Sequence, residues 1–174
     1  PKQSQSSTAD NNNDVVEQKE KQQPPTPKAT PVGKRLIIND GNNFNINIAE
    51  NVGFAKSQYT ADVPSSVQAA YDSLANYLTA NPATQVVLVG RYATHEANSS
   101  NFPNLGLARA NAIKEQLEAK GVKPAQLRIT AASDNSLAFY DNKMQGGIDY
   151  RFVKIPIPTQ PIDNEKDTTN TVQK

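Results

Sequence analysis

Residues 85–120 read QVVLVGRYATHEANSSNFPNLGLARANAIKEQLEAK. They open with an apolar run, residues 86–89, which is typical of an interior strand because both of its faces would be covered. The run ends at Gly90, and the polar loop that follows contains His95, the only histidine of the chain. A helical pattern begins near Asn104. The stretch therefore predicts a strand, a long loop and a helix, and we expect the function to lie there.

The helix is predicted to cover residues 104–120. Its apolar side chains recur at helical spacing, which predicts that one face packs on a sheet. The residues of this face are Leu107, Ala110, Ile113 and Leu117. Gly121 follows the last turn, where glycine commonly ends a helix because it readily adopts a left-handed backbone.

Upstream of this stretch, the sequence predicts a β-hairpin. Residues 36–38 form a β-type run, residues 39–43 have turn chemistry, and residues 44–48 alternate apolar with polar. This pattern is typical of two antiparallel strands with one buried face. We expect Phe54 and Tyr59 to lie in a loop that packs back on the core.

A first helix is predicted to follow the hairpin. Residues 62–66 offer N-cap side chains and an early proline, which are signals for a helix start. Apolar residues then recur at the spacing of an amphipathic helix. They are Val67, Tyr71, Leu74 and Leu78. Asn81 and Pro82 end the pattern.

The remaining segments complete an α/β pattern. Residues 127–130 predict a short strand, and residues 133–147 a polar loop with a helical turn at 137–140. Residues 148–157 predict a last strand, because the prolines at its end bar further pairing. The order β-hairpin, α, β, α, β, β predicts an α/β sandwich in which a mixed β-sheet packs against helices.

Composition separates the folded part of the chain from its ends. Residues 1–33 and 158–174 are polar and contain many prolines. They hold too little apolar surface to offset the entropy of ordering, so we expect a disordered linker and a disordered tail. Residues 34–157 are then the folded domain, and the linker is expected to act as a tether.

Charge and cysteine content exclude several classes of function. The net charge is +1, with no basic patch that would indicate a nucleic-acid partner. The absence of cysteine excludes thiol catalysis and thiolate zinc sites. No run approaches the roughly 20 apolar residues that span a bilayer. Because the chain begins at Pro1 without Met, we expect a trimmed or processed form, with any membrane anchor outside this chain.

Several of these features together match a known family. Gly90 ends the central strand, residues 105–110 read LGLARA, and residues 150–155 read YRFVKI. In this order they resemble the OmpA-like C-terminal domain, whose motifs are G-H-T-D, then N-x-x-L-S-x-x-R-A, then N-R-R-V-E-I. The resemblance covers about residues 44–156.

The resemblance implies a non-catalytic, cofactor-free domain that binds peptidoglycan in the periplasm of a Gram-negative cell. Such a domain anchors an outer-membrane or other envelope protein to the cell wall. In that family an arginine of the second helix binds a carboxylate of diaminopimelate in the stem peptide, and a loop aspartate binds the ammonium. Arg109 matches the helix arginine. Arg151 matches the first arginine of the last motif, which lies near the site.

The loop departs from the family motif. Residues 90–96 read GRYATHE and contain no aspartate. Counting back from the helix arginine places the aspartate position at Thr94, and counting forward from the glycine places it at Ala93. Glu96, the nearest carboxylate, or Thr94 is therefore expected to replace it. The loop asparagine of the family corresponds to Asn101 or Asn104.

Arg109 also has a physical argument of its own. Early in a helix, a guanidinium adds to free backbone N–H groups and to the positive end of the helix dipole, which favours an anion there. The alternative is an ordinary solvated arginine on a helix surface. Gly106, which replaces the usual serine of the family motif, precedes it by three positions.

The other candidate residues give weaker indications of metal binding or catalysis. His95 has no second histidine or cysteine to complete a metal site, so we expect an exposed loop residue. Asp134, Asp141, Glu115 and Glu118 are carboxylates of the kind that cleave glycosides. Nothing in the sequence brings them together, and we expect no catalysis.

A second hypothesis is a scaffold domain that has kept the fold, has lost peptidoglycan binding, and holds an envelope protein partner with its altered loop, residues 92–104. The two hypotheses differ in the state of Arg109. A guanidinium that lines a pocket favours wall binding. One that points outward or is held in an internal ion pair argues against wall binding and leaves the scaffold.

Overall fold

The computed structural model describes residues 34–155. The predicted linker (1–33), the predicted tail (158–174) and the end of the predicted last strand lie outside the described residues. Within the described range the chain forms two α-helices and eight strands. The strands are β1 (Leu36–Asn39), β2 (Asn45–Ile48), β3 (Gly53–Ala55), β4 (Ala61–Asp62), β5 (Thr84–Tyr92), β6 (Leu127–Ser133), β7 (Lys143–Gln145) and β8 (Ile148–Lys154). The helices are α1 (Ser65–Ala80), α2 (Leu105–Ala119) and a short 3-10 helix, Pro124–Gln126.

Strand β5 is the centre of the fold. It pairs with β6 in parallel on one side and with β8 antiparallel on the other. Helix α2 makes the crossover from β5 to β6 and packs on both strands. Val86 and Leu88 are completely buried in this arrangement, which explains the apolar run. The prediction of an interior strand in a mixed sheet packed against helices is confirmed.

The predicted hairpin is also confirmed. Strands β1 and β2 pair antiparallel, with Leu36 opposite Ile48. The turn between them is held by Asp40, whose carboxylate accepts hydrogen bonds from the three backbone N–H groups of Asn42, Asn43 and Phe44. The hydroxyl of Tyr77 in α1 donates to the same carboxylate. This contact fixes the hairpin turn to the helix.

A third sheet has the order β4-β3-β7 and was not predicted. Phe54, expected in a loop, lies in β3 opposite Met144 of β7. The predicted helical turn at residues 137–140 is wrong, because Tyr140 forms an isolated bridge with Lys143 instead. Strands of two or three residues depend on a partner far away in the chain, and local sequence periodicity does not reveal such partners.

Both helices bury the kind of face that the sequence predicts. In α1 the four predicted residues are completely buried. In α2 the buried set includes Ala110, Ile113 and Leu117, but Leu107 is only half-buried and Leu105 is buried in its place. Gly121 has a φ of +93°, and the backbone N–H of Val122 donates to the carbonyl of Leu117, so the predicted glycine end of the helix is confirmed.

Helix α2 and strand β5 touch at two glycines. A Cβ atom on Gly106 would lie 2.5 Å from the carbonyl oxygen of Gly90. Only residues without a side chain allow the two backbones to approach this closely. The contact brings the first turn of α2 to the end of β5, where the candidate site lies.

Candidate functional site

Arg109 and Glu96 form a bidentate ion pair inside the domain. The Nη2 atom of Arg109 lies 2.7 Å from Oε1 of Glu96, and Nη1 lies 3.0 Å from Oε2. The exposed fraction of both side chains is 0%. The loop that follows β5 folds over the start of α2, and the two charges meet beneath it.

The rest of the Arg109 guanidinium is also occupied. Nε donates to the carbonyl of Gln58 at 3.0 Å, and Nη1 donates to the carbonyl of Arg91 at 3.0 Å. Nη2 lies 3.5 Å from the carbonyl of Ala55, and the guanidinium carbon stands 5.4 Å from the centre of the Phe54 ring. The guanidinium is therefore anchored by backbone groups as well as by the glutamate.

Glu96 accepts four hydrogen bonds. Besides the two from Arg109, its carboxylate receives the backbone N–H of Ala93 and that of Ser57, each at 2.9 Å. Burial alone would raise the pKa of Glu96, but these hydrogen bonds outweigh it, and the pKa lies below its usual value. The position is therefore built for an ionised carboxylate.

Two turns deliver these backbone donors. Residues 93–96 form a turn in which the backbone N–H of Glu96 donates to the carbonyl of Ala93 at 3.0 Å. Ser57 has a φ of +59°, an uncommon conformation for serine. Its hydroxyl accepts the backbone N–H of Ala97 at 3.1 Å. The turn between β3 and β4 is thus joined to the loop that carries the glutamate.

The other polar residues predicted for the site lie elsewhere on the loop. Thr94 is exposed, and its backbone N–H and hydroxyl both donate to Oδ1 of Asn135. Asn101 is exposed as well. Asn104 is the N-cap of α2 and accepts the backbone N–H of Leu107 at 2.9 Å. Of the predicted set, only the arginine and the glutamate are brought into contact with each other.

Arg151 is separated from this pair. It is exposed in β8 and lies directly opposite Val87 of β5. Side chains that are opposite each other on paired strands project from the same face, and successive residues alternate. Leu88, next to Val87, is buried in the core together with α2. Arg151 therefore projects from the face away from Arg109 and does not support it.

The sequence does not indicate the backbone part of the site. Ala55, Gln58 and Ala93 contribute main-chain groups only, and the contact of Ser57 with Glu96 is also through its main chain. A main-chain group has no residue signature. Nor does the sequence indicate the cluster in which Arg91 pairs with Asp149 at 2.6 Å and Asp134 at 3.3 Å. Only the alignment of β5, β6 and β8 brings those charges together.

The remaining candidates have unremarkable surroundings. His95 is exposed, as predicted. Among residues 34–155, no group of three or more histidines, aspartates and glutamates is placed to hold a metal ion. In that same part of the chain, neither α-helix is long and apolar enough to cross a bilayer.

A surface groove of about 530 Å³ lies between α2 and residues 59–61. Tyr59 and Phe102 lie on its walls, and small residues such as Ala108 and Ala112 lie along the helix. Tyr59 is 39% exposed. The groove is separate from the ion pair and offers apolar surface beside the altered loop.

The family model that matches the sequence is that of the OmpA family, over residues 54–149. This is more than half of the chain and includes both Glu96 and Arg109. No curated protein matches the sequence.

Solved structures with a similar fold include three from Gram-negative bacteria. The peptidoglycan-associated lipoprotein from Burkholderia pseudomallei is 22% identical, with a TM-score of 0.45 over 59% of this chain and 88% of that chain. The C-terminal domain of Helicobacter pylori MotB is 16% identical, with a TM-score of 0.42 over 60% and 85%. The OmpA-like domain of FopA1 from Francisella tularensis is 13% identical, with a TM-score of 0.41 over 70% and 86%.

Proposed function

The chain belongs to the OmpA family, and on that premise we propose that it is a non-catalytic periplasmic domain that associates with peptidoglycan. Its role is to hold an envelope protein or complex at the cell wall. The proposed partner is the stem peptide that contains diaminopimelate. Residues 1–33 serve as the tether and residues 34–157 as the binding domain, with any membrane anchor outside this chain.

The internal ion pair of Arg109 is the state expected of the scaffold, so wall binding requires that the carboxylate at Arg109 can be exchanged. The donors around that carboxylate are what supports the proposal. Two guanidinium N–H groups of Arg109 and the backbone N–H groups of Ala93 and Ser57 converge on a single carboxylate. Such a bidentate, charge-assisted set is selective for carboxylates. This set of donors includes Arg109, the helix arginine that binds the stem peptide according to the family resemblance. Glu96 fills this position, and a stem-peptide carboxylate takes it when Glu96 leaves.

The polar loop supplies the other proposed contacts. Thr94 and Asn101 are exposed on the loop that carries Glu96. Asn101 is available to hydrogen-bond a ligand, and the Thr94 hydroxyl, which donates to Asn135, can still accept a hydrogen bond. Asn104 acts through the helix cap. Arg151 has no part in the proposed site, since it projects from the opposite face of the sheet.

Co-sedimentation with diaminopimelate-type peptidoglycan tests the proposal. The wild-type domain is expected to pellet with the peptidoglycan, and Arg109→Ala to stay in solution. Arg128→Ala is the matched control, because it removes the same charge from an exposed position of β6. Arg109→Lys keeps the charge but not the bidentate geometry, and it is expected to bind weakly. A wild-type domain that never pellets refutes peptidoglycan binding.

A scaffold without peptidoglycan binding is the second candidate. It is favoured by the complete burial of Arg109 in an internal ion pair, and the groove beside α2 offers a surface for a protein partner. A photo-crosslinking residue at Tyr59, in the groove, is then expected to capture an envelope protein, whereas one at Tyr140, exposed elsewhere, is not. Crosslinking combined with no pelleting of the wild type favours the scaffold.

A further inference from the structure

The side chain of Glu96 ends in the same chemical group that the proposed ligand presents. We infer that Glu96 is a built-in competitor: its carboxylate occupies the carboxylate position at Arg109, and an external carboxylate binds only after the turn of residues 93–96 releases it. The inference rests on the proposed function, because it concerns the regulation of the same site.

The position remains formed when Glu96 leaves. Arg109 is held independently by the carbonyls of Gln58 and Arg91. The backbone N–H of Ala93 directly follows β5, and that of Ser57 lies in the turn between β3 and β4, so both can remain donors when the Glu96 side chain leaves. An external carboxylate that enters can accept the same four hydrogen bonds, and the displaced Glu96 carboxylate is hydrated outside the position.

The loop is the side of the pair that can move. Arg109 is part of α2, is completely buried, and lies three residues from the glycine that fixes the helix to β5. Glu96 lies on a loop whose neighbours Thr94, His95 and Ala97 are exposed. Its own backbone N–H bond to Ala93 and the bond from Ala97 to Ser57 are the local contacts that must open.

Competition from Glu96 lowers the apparent affinity of a single site for its ligand, but the domain can still remain associated with the cell wall. An attached carboxylate acts at an effective concentration of about millimolar or more. An external ligand sees only the fraction of molecules in which the position is free, and its apparent affinity falls by that fraction. The cell wall presents many copies of the stem peptide, so a tethered domain still remains associated.

Binding of free diaminopimelate to variants at Glu96 tests the inference. The probe is titrated while the backbone amide resonances of Ala93 and Ser57 are followed by NMR. Glu96→Ala is expected to bind at least tenfold more tightly than the wild type. Glu118→Ala, which removes a glutamate from the surface of α2 where it pairs with Lys114, is expected to bind like the wild type.

Chemical rescue provides a second readout that does not depend on the identity of the ligand. Glu96→Ala leaves the guanidinium without its carboxylate, so acetate is expected to raise the melting temperature of this variant more than chloride at equal ionic strength. The wild type is expected to respond equally to both salts. If Glu96→Ala does not fold, Glu96→Ser, whose short side chain also empties the carboxylate position, takes its place in both experiments.

The outcomes separate this inference from the proposed function. Equal affinity of wild type and Glu96→Ala for diaminopimelate overturns the competitor and leaves the proposed function standing. Rescue by acetate without diaminopimelate binding supports an exchangeable carboxylate position and removes diaminopimelate as its ligand. Neither binding nor rescue overturns both.

Discussion

Gly90 and Gly106 meet backbone to backbone where β5 ends and α2 begins. A Cβ atom on Gly90 would stand 1.8 Å from the carbonyl oxygen of Gly106. The contact also sets the depth of Arg109, whose Nη1 reaches the carbonyl of Arg91, the residue after Gly90. Backbone cannot rotate away as a flexible side chain does, so the ion pair depends on both positions lacking a side chain.

Gly90→Ala is therefore expected to be strongly destabilising. Overpacking typically costs about 1–3 kcal/mol of unfolding free energy, and a clash with backbone belongs at the upper end or above it. Gly121→Ala is the control: its Cβ meets open space, and its positive φ costs about 1–2 kcal/mol. Urea denaturation measures both. If both variants lost the same free energy of unfolding, α2 would have moved away from the new Cβ atom at Gly90 without any loss of stability.

Arg109→Ala is expected to lower the free energy of unfolding by about 3–5 kcal/mol, because it leaves the Glu96 carboxylate buried without its partner. The exposed control Arg128→Ala is expected to change it by no more than about 0.5 kcal/mol. Denaturation followed by circular dichroism compares the two. Similar stability of both variants would contradict a buried ion pair.

Low pH is expected to weaken the contacts of Asp40 that hold the β1–β2 turn in shape and against α1. The hydrogen bonds from Tyr77 and from the turn backbone hold the pKa of Asp40 well below its usual value. The folded state thus binds this proton less readily than the unfolded chain, and the stabilisation is present above the unfolded pKa of about 4 and lost as pH falls below it.

Asp40→Asn tests this dependence. The free energy of unfolding of the wild type is expected to decrease steeply between about pH 4 and pH 2, and that of Asp40→Asn to decrease less. Asp72→Asn removes the same charge from the exposed side of α1 and should keep the slope of the wild type. A slope that Asp40→Asn leaves unchanged would exclude this carboxylate as the cause.

Two tyrosine hydroxyls are expected to stabilise the core as a pair. The hydroxyl oxygens of Tyr71 in α1 and Tyr150 in β8 lie 2.5 Å apart and share a hydrogen bond. Burial raises the pKa of both phenols. Each Tyr→Phe change leaves the other hydroxyl without its hydrogen-bond partner and is expected to lower the free energy of unfolding by about 1–3 kcal/mol. The double variant should cost less than the sum, and strict additivity in a double-mutant cycle would disprove the coupling.

The sequence predicts those parts of the fold that depend on local periodicity. The stripe of α1 and the apolar run of β5 repeat at distances set by helix and strand geometry, so they are visible without coordinates. The three-stranded sheet of β3, β4 and β7 is not visible. Its strands are too short to show a period, and Phe54 is matched to Met144 only by the folded chain.

The site was predictable as a set of residue types but not as an arrangement. Arg109 was identified by the family motif. Glu96 was identified by its charge, but as a replacement for the ammonium-binding aspartate and not as the partner of Arg109. Their mutual ion pair follows from a turn at residues 93–96 that directs the glutamate inward, and turn direction is not encoded in spacing. Arg151 was misplaced because the alternation of faces in β8 becomes certain only once its register with β5 is known.

The position of β8 has a consequence for the growing chain. Lys154, at the end of β8, lies opposite Thr84, 70 residues earlier, so the central strand leaves the ribosome long before its second neighbour exists. Until then the edge of β5 that later pairs with β8 has unpaired backbone amides and carbonyls, and such an edge readily pairs with strands of other molecules. Nascent or proteolysed chains that end before Ile148 are therefore the forms most prone to aggregate, and protection during synthesis depends on how quickly the last strand arrives.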